Sequence, residues 1–389
     1  MSAMTVDVLV VGLGAMGSAT LYQLAGRGAS AIGIDRFAPP HDRGSSHGES
    51  RITRQAIGEG HEYVPFVLRS HEIWRELERD TGEGLLFAIG GLILDRAHGQ
   101  ADHHGQVDFV GRTIDAARRY GIAHDVLAAA EVQARFPQLR LVGDEVGYYE
   151  PGAGYLRPER CVAAQLARAR ARGARTRTGE VVTRITPGAS DVTVATDAAT
   201  YSAERVVVTA GAWLPALVGE PFRGLLRVCR QVLYWFAPED PPAFAPGRFP
   251  IFIWIHGTGA TDAFYGIPLV AEGVKLATEQ TAETTDPDRV RRDVSTDEVA
   301  GMYAAHVRGR LAGMTDRCVR AETCLYTVAA GSRFIVDRHP ASDRVLVASP
   351  CSGHGFKHSA ALGEAMAELV LTGKSRLDLA PFALAGRPA

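Results

Sequence analysis

The chain has 389 residues and a formal net charge of −2, with 46% hydrophobic and 22% charged residues. This balance is typical of a globular protein in water and disfavours nucleic acid as the main partner. At about 150 residues per domain, the length predicts two domains, enough to enclose a large ligand. The first apolar run is only strand-length and lacks a preceding basic region, and so we expect no signal peptide and no membrane partner.

The cysteine pattern favours a reducing compartment. The spacing is neither that of a zinc site nor that of a disulfide framework, which makes a cytoplasmic location the expectation. The five cysteines are Cys161, Cys229, Cys318, Cys324 and Cys351. A basic stretch from Arg168 to Arg177 is interpreted as the cationic end of a helix, with a phosphate-binding patch as the alternative.

The chain begins with a strand, a glycine turn, a helix and a second strand. Val6 to Val11 is a continuous apolar run typical of a buried parallel strand, and Gly12-Leu13-Gly14-Ala15-Met16-Gly17 follows it. In such a turn the first glycine permits the bend, the second lets the backbone approach a pyrophosphate, and the third lets helix and strand pack closely. Asp35 ends the second strand, where an acid can bind a ribose hydroxyl. The pattern predicts a Rossmann-type dinucleotide-binding domain.

Hydrophobic spacing and glycine breaks predict the elements that follow. They are a helix from Tyr63 to Thr81, a strand pair from Leu85 to Leu94, a helix from Val107 to Gly121, a sharp turn at Glu150 to Gly154, and a strand from Arg205 to Thr209. The proline-rich stretch from Ala237 to Pro250 lies between aromatic-rich strands, which predicts a mostly antiparallel second sheet. Ser295 and Glu298 form a capping box ahead of an amphipathic helix.

The C-terminal segment indicates which dinucleotide is bound. A strand, Val345 to Ala348, leads into Ser352-Gly353-His354-Gly355-Phe356-Lys357, a second glycine turn at the start of a helix that ends at Gly373. The N–H groups and the helix dipole at this turn stabilise negative charge, which suits the isoalloxazine end of a reduced flavin. FAD is therefore predicted, and NAD is the alternative.

Several motifs resemble the monomeric sarcosine oxidase and N-methyltryptophan oxidase family. They are the run Gly44-Ser45-Ser46-His47-Gly48-Glu49-Ser50-Arg51-Ile52-Thr53-Arg54, then Gly58-Glu59-Gly60, Tyr63-Val64-Pro65, Cys324-Leu325-Tyr326-Thr327, Phe334-Ile335-Val336-Asp337, and the C-terminal glycine turn. The resemblance covers essentially the whole chain and is loose only between about 97 and 226. It implies an α/β Rossmann-type FAD-binding domain (1–85, 151–221 and 323–389) interleaved with an antiparallel-sheet substrate domain (86–150 and 222–322).

The resemblance also implies a set of cofactor-binding residues. These are Gly12, Gly14, Ala15, Met16, Gly17, Asp35, Arg36, His41, Gly44, Ser45, Arg51, Ile52, Val181, Gly211, Trp213, Cys324, Gly353, Gly355, Phe356 and Lys357. Within the set, Cys324 matches the family's 8α-cysteinyl FAD link, with a small buried thiol as the alternative. Cys351 has no counterpart in the family pattern.

Seven residues of this chain match residues of the family's substrate and oxygen sites. Arg54 and Lys357 match the pair of cations that binds the substrate carboxylate. His47 and Arg51 match residues against the flavin ring, Tyr265 and Tyr326 match aromatics of the substrate cavity, and Lys275 matches the oxygen-activating lysine. The alternatives are an arginine paired with an internal acid, a lysine capping a carbonyl, core tyrosines, and a lysine facing solvent.

Three departures leave the substrate open. Glu279 stands where family members have a histidine, Ile57 replaces a tyrosine, and the segment from Phe252 to Asp262 has extra residues. A negative Glu279 disfavours a second substrate carboxylate and favours a cationic or hydroxylated side chain.

Two other patterns carry no prediction of a site. Gly373-Lys374-Ser375 looks like the end of a phosphate loop, but Glu368 occupies the position of its first glycine. The cluster His98, Asp102, His103 and His104 lies in a polar segment and is interpreted as incidental, so that no metal is predicted.

The resemblance implies an FAD-dependent oxidase of sarcosine or another secondary amino acid. Such an enzyme oxidises a C–N bond to an imine and reduces O₂ to H₂O₂, with a small amino acid and O₂ as its only partners, as a monomer. A dehydrogenase that uses a non-oxygen acceptor, an oxidase of a cyclic imino acid such as pipecolate, an NAD enzyme and a non-catalytic flavin protein are the alternatives.

Overall fold

The computed structural model describes residues 4–96, 99, 103–259 and 261–384. The strands in this part of the chain are β1 Met4–Val11, β2 Ala31–Asp35, β3 Arg51–Thr53, β4 Leu86–Ala88, β5 Gly91–Arg96, β6 Asp125–Ala128, β7 Glu145–Glu150, β8 Gly154–Leu156, β9 Arg175–Thr178, β10 Val182–Pro187, β11 Val192–Thr196, β12 Thr200–Val208, β13 Leu226–Pro238, β14 Ile251–Ile255, β15 Ala263–Ile267, β16 Val274–Ala277, β17 Met314–Ala329, β18 Ile335–His339 and β19 Ser342–Ser349.

The helices accompany the strands in both halves of the chain. They are α1 Ala15–Gly26, α2 Val64–Thr81, α3 Phe109–Tyr120, α4 Ala129–Arg135, α5 Pro158–Ala171, α6 Leu214–Val218, α7 Phe222–Leu225, α8 Thr296–Met302 and α9 Ser359–Thr372. The predicted helices over 63–81, over 107–121 and up to Gly373 are confirmed.

The first large sheet has the strand order β10-β11-β12-β1-β2-β9, with β19 on β12 and β18 on β19. Strand β1 runs parallel to β12 and to β2, β9 runs parallel to β2, and β19 runs parallel to β12 but antiparallel to β18. Because helices cover the sheet, both faces of β1 are apolar, and Val8, Leu9 and Val10 are fully buried. Helices α1 and α9 pack so closely that a Cβ at Gly363 would lie 2.4 Å from the Ala19 Cβ. The predicted Rossmann-type fold is confirmed.

The second large sheet has the order β17-β13-β16-β15-β14-β5-β7-β6. Its pairs are antiparallel except for β14 with β5. The long pair of β13 and β17 runs from Leu226 opposite Ala329 to Pro238 opposite Met314. The predicted mostly antiparallel sheet is confirmed, and its β17 edge reaches towards the first sheet.

The predicted strand pair over 85–94 is two strands that belong to different sheets. Strand β4 pairs with β8 in a small three-stranded sheet that also holds β3, whereas β5 enters the second large sheet. Gly90, with a φ of 88°, redirects the chain between them. The alternation of apolar residues predicts the strands but carries no information about their partners.

The Ser295 capping box is present and begins α8. The Ser295 hydroxyl accepts a hydrogen bond from the Glu298 backbone N–H at 3.2 Å, and the Glu298 carboxylate accepts one from the Ser295 N–H at 2.9 Å. The helix then widens into a π-helical turn over Tyr303–Val307.

The domain boundaries at 85/86, 150/151, 221/222 and 322/323 stay a prediction. Strands of the first sheet fall in the proposed FAD-binding segments, and β17 crosses the last boundary. Within the described ranges, no helix combines the length and the apolar character that spanning a bilayer requires.

Candidate active site and cofactor cleft

A cleft with a volume of about 380 Å³ lies at the carboxyl ends of the strands of the first sheet. Most of the predicted cofactor residues line it, namely Gly12, Gly14, Ala15, Met16, Asp35, Arg36, His41, Gly44, Ser45, Arg51, Val181, Gly211, Trp213, Gly353, Gly355 and Phe356. Ile52 and Lys357 line a neighbouring cavity instead. Gly17 and Cys324 lie behind the wall of the cleft, where Gly17 packs against the turn.

The glycine turn has the shape that a pyrophosphate requires. Gly12 has a φ of 87°, and a Cβ there would lie 2.6 Å from the Thr209 carbonyl oxygen. A Cβ at Gly17 would lie 1.7 Å from the Gly12 oxygen, whereas the space beside Gly14 is open except for the Ser46 hydroxyl at 3.5 Å. The backbone therefore meets the cleft directly at the N-terminus of α1, and the residues fit an FAD phosphate bridge.

Asp35 supports this turn. One of its carboxylate oxygens accepts a hydrogen bond from the Leu13 N–H at 2.7 Å, and the other accepts one from the Phe37 N–H at 2.8 Å. Beside it, Arg36 lies over the Trp213 ring at 4.8 Å and forms an ion pair with Asp288 at 3.0 Å. Asp288 is a cleft residue that the sequence analysis missed, because no local motif marks it.

Cys324 lies at the junction of the cleft and β17 and is completely buried. Its Sγ accepts a hydrogen bond from Arg51 Nη2 at 3.5 Å. Burial alone would raise the pKa of this thiol, but the Arg51 charge and the influence of His47 outweigh burial and lower the pKa to about 7. A substantial fraction is therefore thiolate at neutral pH.

A second cavity, with a volume of about 370 Å³, adjoins the cleft. The two share four residues, Arg51, Tyr326, Gly353 and Phe356. Six of the seven predicted catalytic residues line the second cavity, namely Lys275, Arg54, Lys357, Tyr265, Tyr326 and Arg51. His47 is buried near Cys324 and lines neither space.

Arg54 and Lys357 converge on one carboxylate, that of Glu59. Arg54 Nη2 lies 2.5 Å from Glu59 Oε2, and both side chains are buried. Lys357 Nζ donates a hydrogen bond to the His354 carbonyl oxygen at 2.8 Å and lies 4.0 Å from Glu59 Oε1. Arg54 is thus paired with an internal acid, and Lys357 caps a carbonyl oxygen. Both contacts are those that the alternatives to a carboxylate clamp predict. Two cations share one anion, however, which leaves positive charge in the cavity.

Burial has different consequences for Lys357 and Glu59. Desolvation lowers the pKa of Lys357 to about 7, with the Glu59 charge opposing the shift. Burial would raise the pKa of Glu59, but Arg54 and Lys357 hold it well below its usual range. Glu59 is ionised at neutral pH, and Lys357 is partly protonated there.

Glu279, which departs from the family pattern, forms an ion pair with His104 across the cavity. The Nε2 atom of His104 contacts Glu279 Oε2, and its Nδ1 lies 3.2 Å from Glu59 Oε1. Burial would lower the pKa of His104, but the Glu279 and Glu59 charges raise it to about 9. The expectation treated Glu279 as an isolated charge, whereas in the structure a histidine from a distant segment neutralises it.

His103, His104 and Glu279 offer ligand atoms within 4.8 Å of one another. The His103 and His104 rings are stacked, with their centroids 4.3 Å apart and an interplanar angle of 25°. Both ring nitrogens of His104 also face carboxylates. This geometry favours an ion-pair network over a metal centre. His98 and Asp102 lie outside the described residues.

Lys275 is 2% exposed, which excludes the alternative of a lysine facing solvent. Its Nζ donates hydrogen bonds to the carbonyl oxygens of Gly48 at 2.9 Å and Ser50 at 2.6 Å. Burial and the nearby Arg51 charge lower its pKa well below the usual range. The amine lies at the junction of the cavity and the flavin-facing loop over 44–51.

Tyr265 and Tyr326 are both on the cavity wall, and burial raises the pKa of each phenol. Tyr265 lies on β15, directly after the segment with extra residues, and Ile253 and Phe264 of this hairpin also line the cavity. Ile57 is 1% exposed and lies in the core, outside the cavity wall. The hairpin therefore forms part of the cavity wall.

A Rossmann-type domain with a cleft for FAD, next to a cavity lined by arginines and lysines, defines a flavin-dependent oxidoreductase. The profile of the FAD dependent oxidoreductase (DAO) family matches residues 7–369, and the chain belongs to this family.

Two curated relatives cover nearly the whole chain. It is 38% identical to "monomeric sarcosine oxidase" of Streptomyces avermitilis over 396 residues, 99% of either chain. It is 32% identical to "N-methyl-L-tryptophan oxidase" of Yersinia pestis over 98% of this chain and 99% of that one. The fold of NikD, an amino acid oxidase essential for nikkomycin biosynthesis, superposes with a TM-score of 0.82 at 23% identity, over 98% of this chain and 97% of that one.

Proposed function

We propose that this protein is an FAD-dependent oxidase of secondary amino acids, such as sarcosine or another N-methyl amino acid. It oxidises the C–N bond to an imine and reduces O₂ to H₂O₂. The observation that carries the proposal is the cavity itself. It adjoins the flavin cleft at Arg51 and Tyr326, and Arg54 and Lys357 line it. The names of the relatives support the same reaction class.

Arg54 and Lys357 bind the substrate carboxylate in this proposal. A planar guanidinium and a compact ammonium together complement a carboxylate, and their burial strengthens the interaction. Glu59 competes for both cations, and it has a second partner in His104. When the substrate carboxylate binds Arg54 and Lys357, Glu59 can therefore keep His104 as its partner.

FAD, when bound, accepts the hydride equivalent from the carbon next to the amine. The side chains do the remaining work. Tyr265 and Tyr326 line the space next to the cleft and exclude water from it. Lys275 presents its amine beside the flavin-facing loop and stabilises the negative charge that forms when oxygen is reduced.

We propose a covalent link between FAD and Cys324. The lowered pKa supplies the thiolate that the bond requires, and Arg51 holds the sulfur from the cleft side. A covalent tether fixes the orientation of the ring against the cavity opening.

The size of the cavity supports a substrate larger than sarcosine. A volume of about 370 Å³ is in the range of pockets for drug-sized ligands, and the apolar wall formed by Ile253, Phe264 and Ile267 suits a hydrophobic side chain. Glu279 and His104 supply the polar part of the wall. We also propose that the protein is a monomer in the cytoplasm, since the relative from Streptomyces avermitilis is named monomeric and none of the five cysteines, all within the described residues, forms a disulfide.

A panel of N-methyl and cyclic secondary amino acids tests the proposal through H₂O₂ formation under air and anaerobic bleaching of the flavin. Bleaching together with stoichiometric H₂O₂ supports the oxidase. Bleaching without H₂O₂, but with reduction of a quinone or dye, would show the dehydrogenase instead. A yellow protein that no amine bleaches would be a non-catalytic flavin protein, and a colourless protein that needs NAD would remove FAD altogether.

A further inference from the structure

Glu322 and Cys324 lie two residues apart on β17, which places both side chains on the same face of the strand. His47, in the loop over 44–51, packs against this face. Its Nδ1 lies 3.5 Å from Glu322 Oε2, and the same loop contacts Cys324, whose Sγ lies 3.8 Å from the Ser45 carbonyl oxygen. The imidazole of His47 thus lies beside the face of β17 that carries the Glu322 carboxylate and the Cys324 thiol.

His47 has no competing partner within the described part of the chain. Its side chain is 5% exposed, and both ring nitrogens are buried without a standard hydrogen bond. A buried imidazole in this state needs an acceptor for one nitrogen and a proton donor for the other. The carboxylate of Glu322 at Nδ1 leaves Nε2 to the thiol.

The carboxylate of Glu322 is itself held in place. Arg320 Nε donates to Glu322 Oε1 at 2.8 Å, which leaves Oε2 for His47. The Arg320 guanidinium in turn lies 4.4 Å from the centroid of the Trp235 ring. The Glu322 side chain is 29% exposed, and so a proton has a route from His47 to solvent.

We propose that Glu322 is a positioning residue for covalent attachment of the flavin, holding His47 so that Nε2 accepts the Cys324 thiol proton. The inference rests on the proposed thioether at Cys324. The role of Glu322 goes beyond the resemblance to the family, because the matching motif in this strand begins at Cys324 and does not include Glu322.

The protons and electrons of the attachment reaction are all accounted for by Cys324, His47, the flavin and O₂. The thiol proton passes to His47, and the sulfur forms a bond to the flavin 8α carbon, which loses a proton. The two electrons of the broken C–H bond remain on the flavin, and O₂, the acceptor in the proposed activity, removes them as H₂O₂. The charges fit this sequence, since His47 has a pKa raised to about 9 by Cys324 and Glu322 despite burial.

Full-length apoprotein mixed with FAD under air tests the proposal through the rate at which acid-stable, protein-bound flavin forms. Glu322→Gln keeps the shape and removes the charge, and should slow attachment by at least about tenfold, the scale of effect known for loss of a group that orients a metal-binding histidine. Thiolate absorbance of the apoprotein, with Cys324→Ser as the blank, should show that the Cys324 pKa rises in Glu322→Gln.

Arg320→Met is the matched control, because it removes the other partner of Glu322 and leaves the His47 contact. It should attach flavin faster than Glu322→Gln, and an equal loss would show that Glu322 acts through Arg320. In a His47→Asn background, Glu322→Gln should have no further effect, and an additive loss would overturn the proposal. If wild type forms no acid-stable flavin, the thioether fails. An unshifted thiol titration in Glu322→Gln would overturn the role of Glu322 independently.

Discussion

Arg54 and Glu59 form a buried ion pair, 2.5 Å between Nη2 and Oε2, on the wall of the proposed substrate cavity. Glu59 Oε1 also lies 3.2 Å from His104 Nδ1. The cation proposed to bind the substrate is therefore engaged before substrate arrives, and its partner has an alternative cation nearby.

Arg54→Met should weaken binding of the substrate carboxylate. Loss of one member of a desolvated charge pair costs about 2 to 5 kcal/mol, so that KM should rise by at least one order of magnitude. Steady-state kinetics with the best secondary amino acid measures this. Arg69→Met is a control, since this arginine pairs with Glu364 away from the cavity and should leave KM unchanged. Equal turnover of a carboxylate-free secondary amine by the parent enzyme would contradict the assignment.

Glu59→Gln should have the opposite effect on carboxylate binding. Removing the competing anion frees Arg54, and a small aliphatic carboxylate such as acetate should bind several-fold more tightly, as measured by perturbation of the flavin spectrum. The folded state should lose about 3 to 5 kcal/mol, because a buried cation is left without its partner. Weaker acetate binding in a folded Glu59→Gln variant would show that Glu59 positions Arg54 instead of competing with the substrate.

Acetate binding should weaken as pH rises above about 7, where Lys357 loses its proton. Burial lowers the pKa of Lys357, and only the protonated form attracts a carboxylate, so that affinity falls towards high pH. Glu59 stays ionised over this range, and His104, with a pKa of about 9, keeps its charge until higher pH. A titration from pH 6 to 9 measures the effect. Lys357→Gln should remove the pH dependence near 7, and its persistence would assign it to another group.

Glu279→Gln should destabilise the protein in a restricted pH window. The folded-state pKa of His104 is raised to about 9, and the stability this brings is present below its ordinary pKa of 6.5 and lost as pH rises through about 9. The pKa of Glu279 is lowered to about 2, and its contribution is lost only as pH falls through that value. The difference in Tm between wild type and Glu279→Gln should be large at pH 6 and small at pH 10. A difference that does not change with pH would mean that the residue acts through packing.

The sequence is informative where chemistry is local and less so where partners are distant in the chain. Gly12, Gly14 and Gly17 are predictable because the turn itself requires them. The pairing of Glu279 with His104 is not, because the two residues are 175 positions apart in the chain. The same limit applies to the separation of β4 from β5, since the apolar pattern of a strand does not specify its neighbour.

The central claim is that a flavin in this cleft reduces oxygen with the help of Lys275, whose amine is buried beside the flavin-facing loop. Replacing it with methionine keeps the length and removes the amine, whose protonation the negative charge formed on oxygen would favour. Stopped-flow measurement of the two half-reactions of Lys275→Met is the most direct test.

Anaerobic reduction by substrate serves as the internal control and should change much less than reoxidation. Reoxidation should slow at least about a hundredfold, which corresponds to loss of a charge contact of about 3 kcal/mol. Unchanged reoxidation would show that Lys275 is structural, and would favour the dehydrogenase.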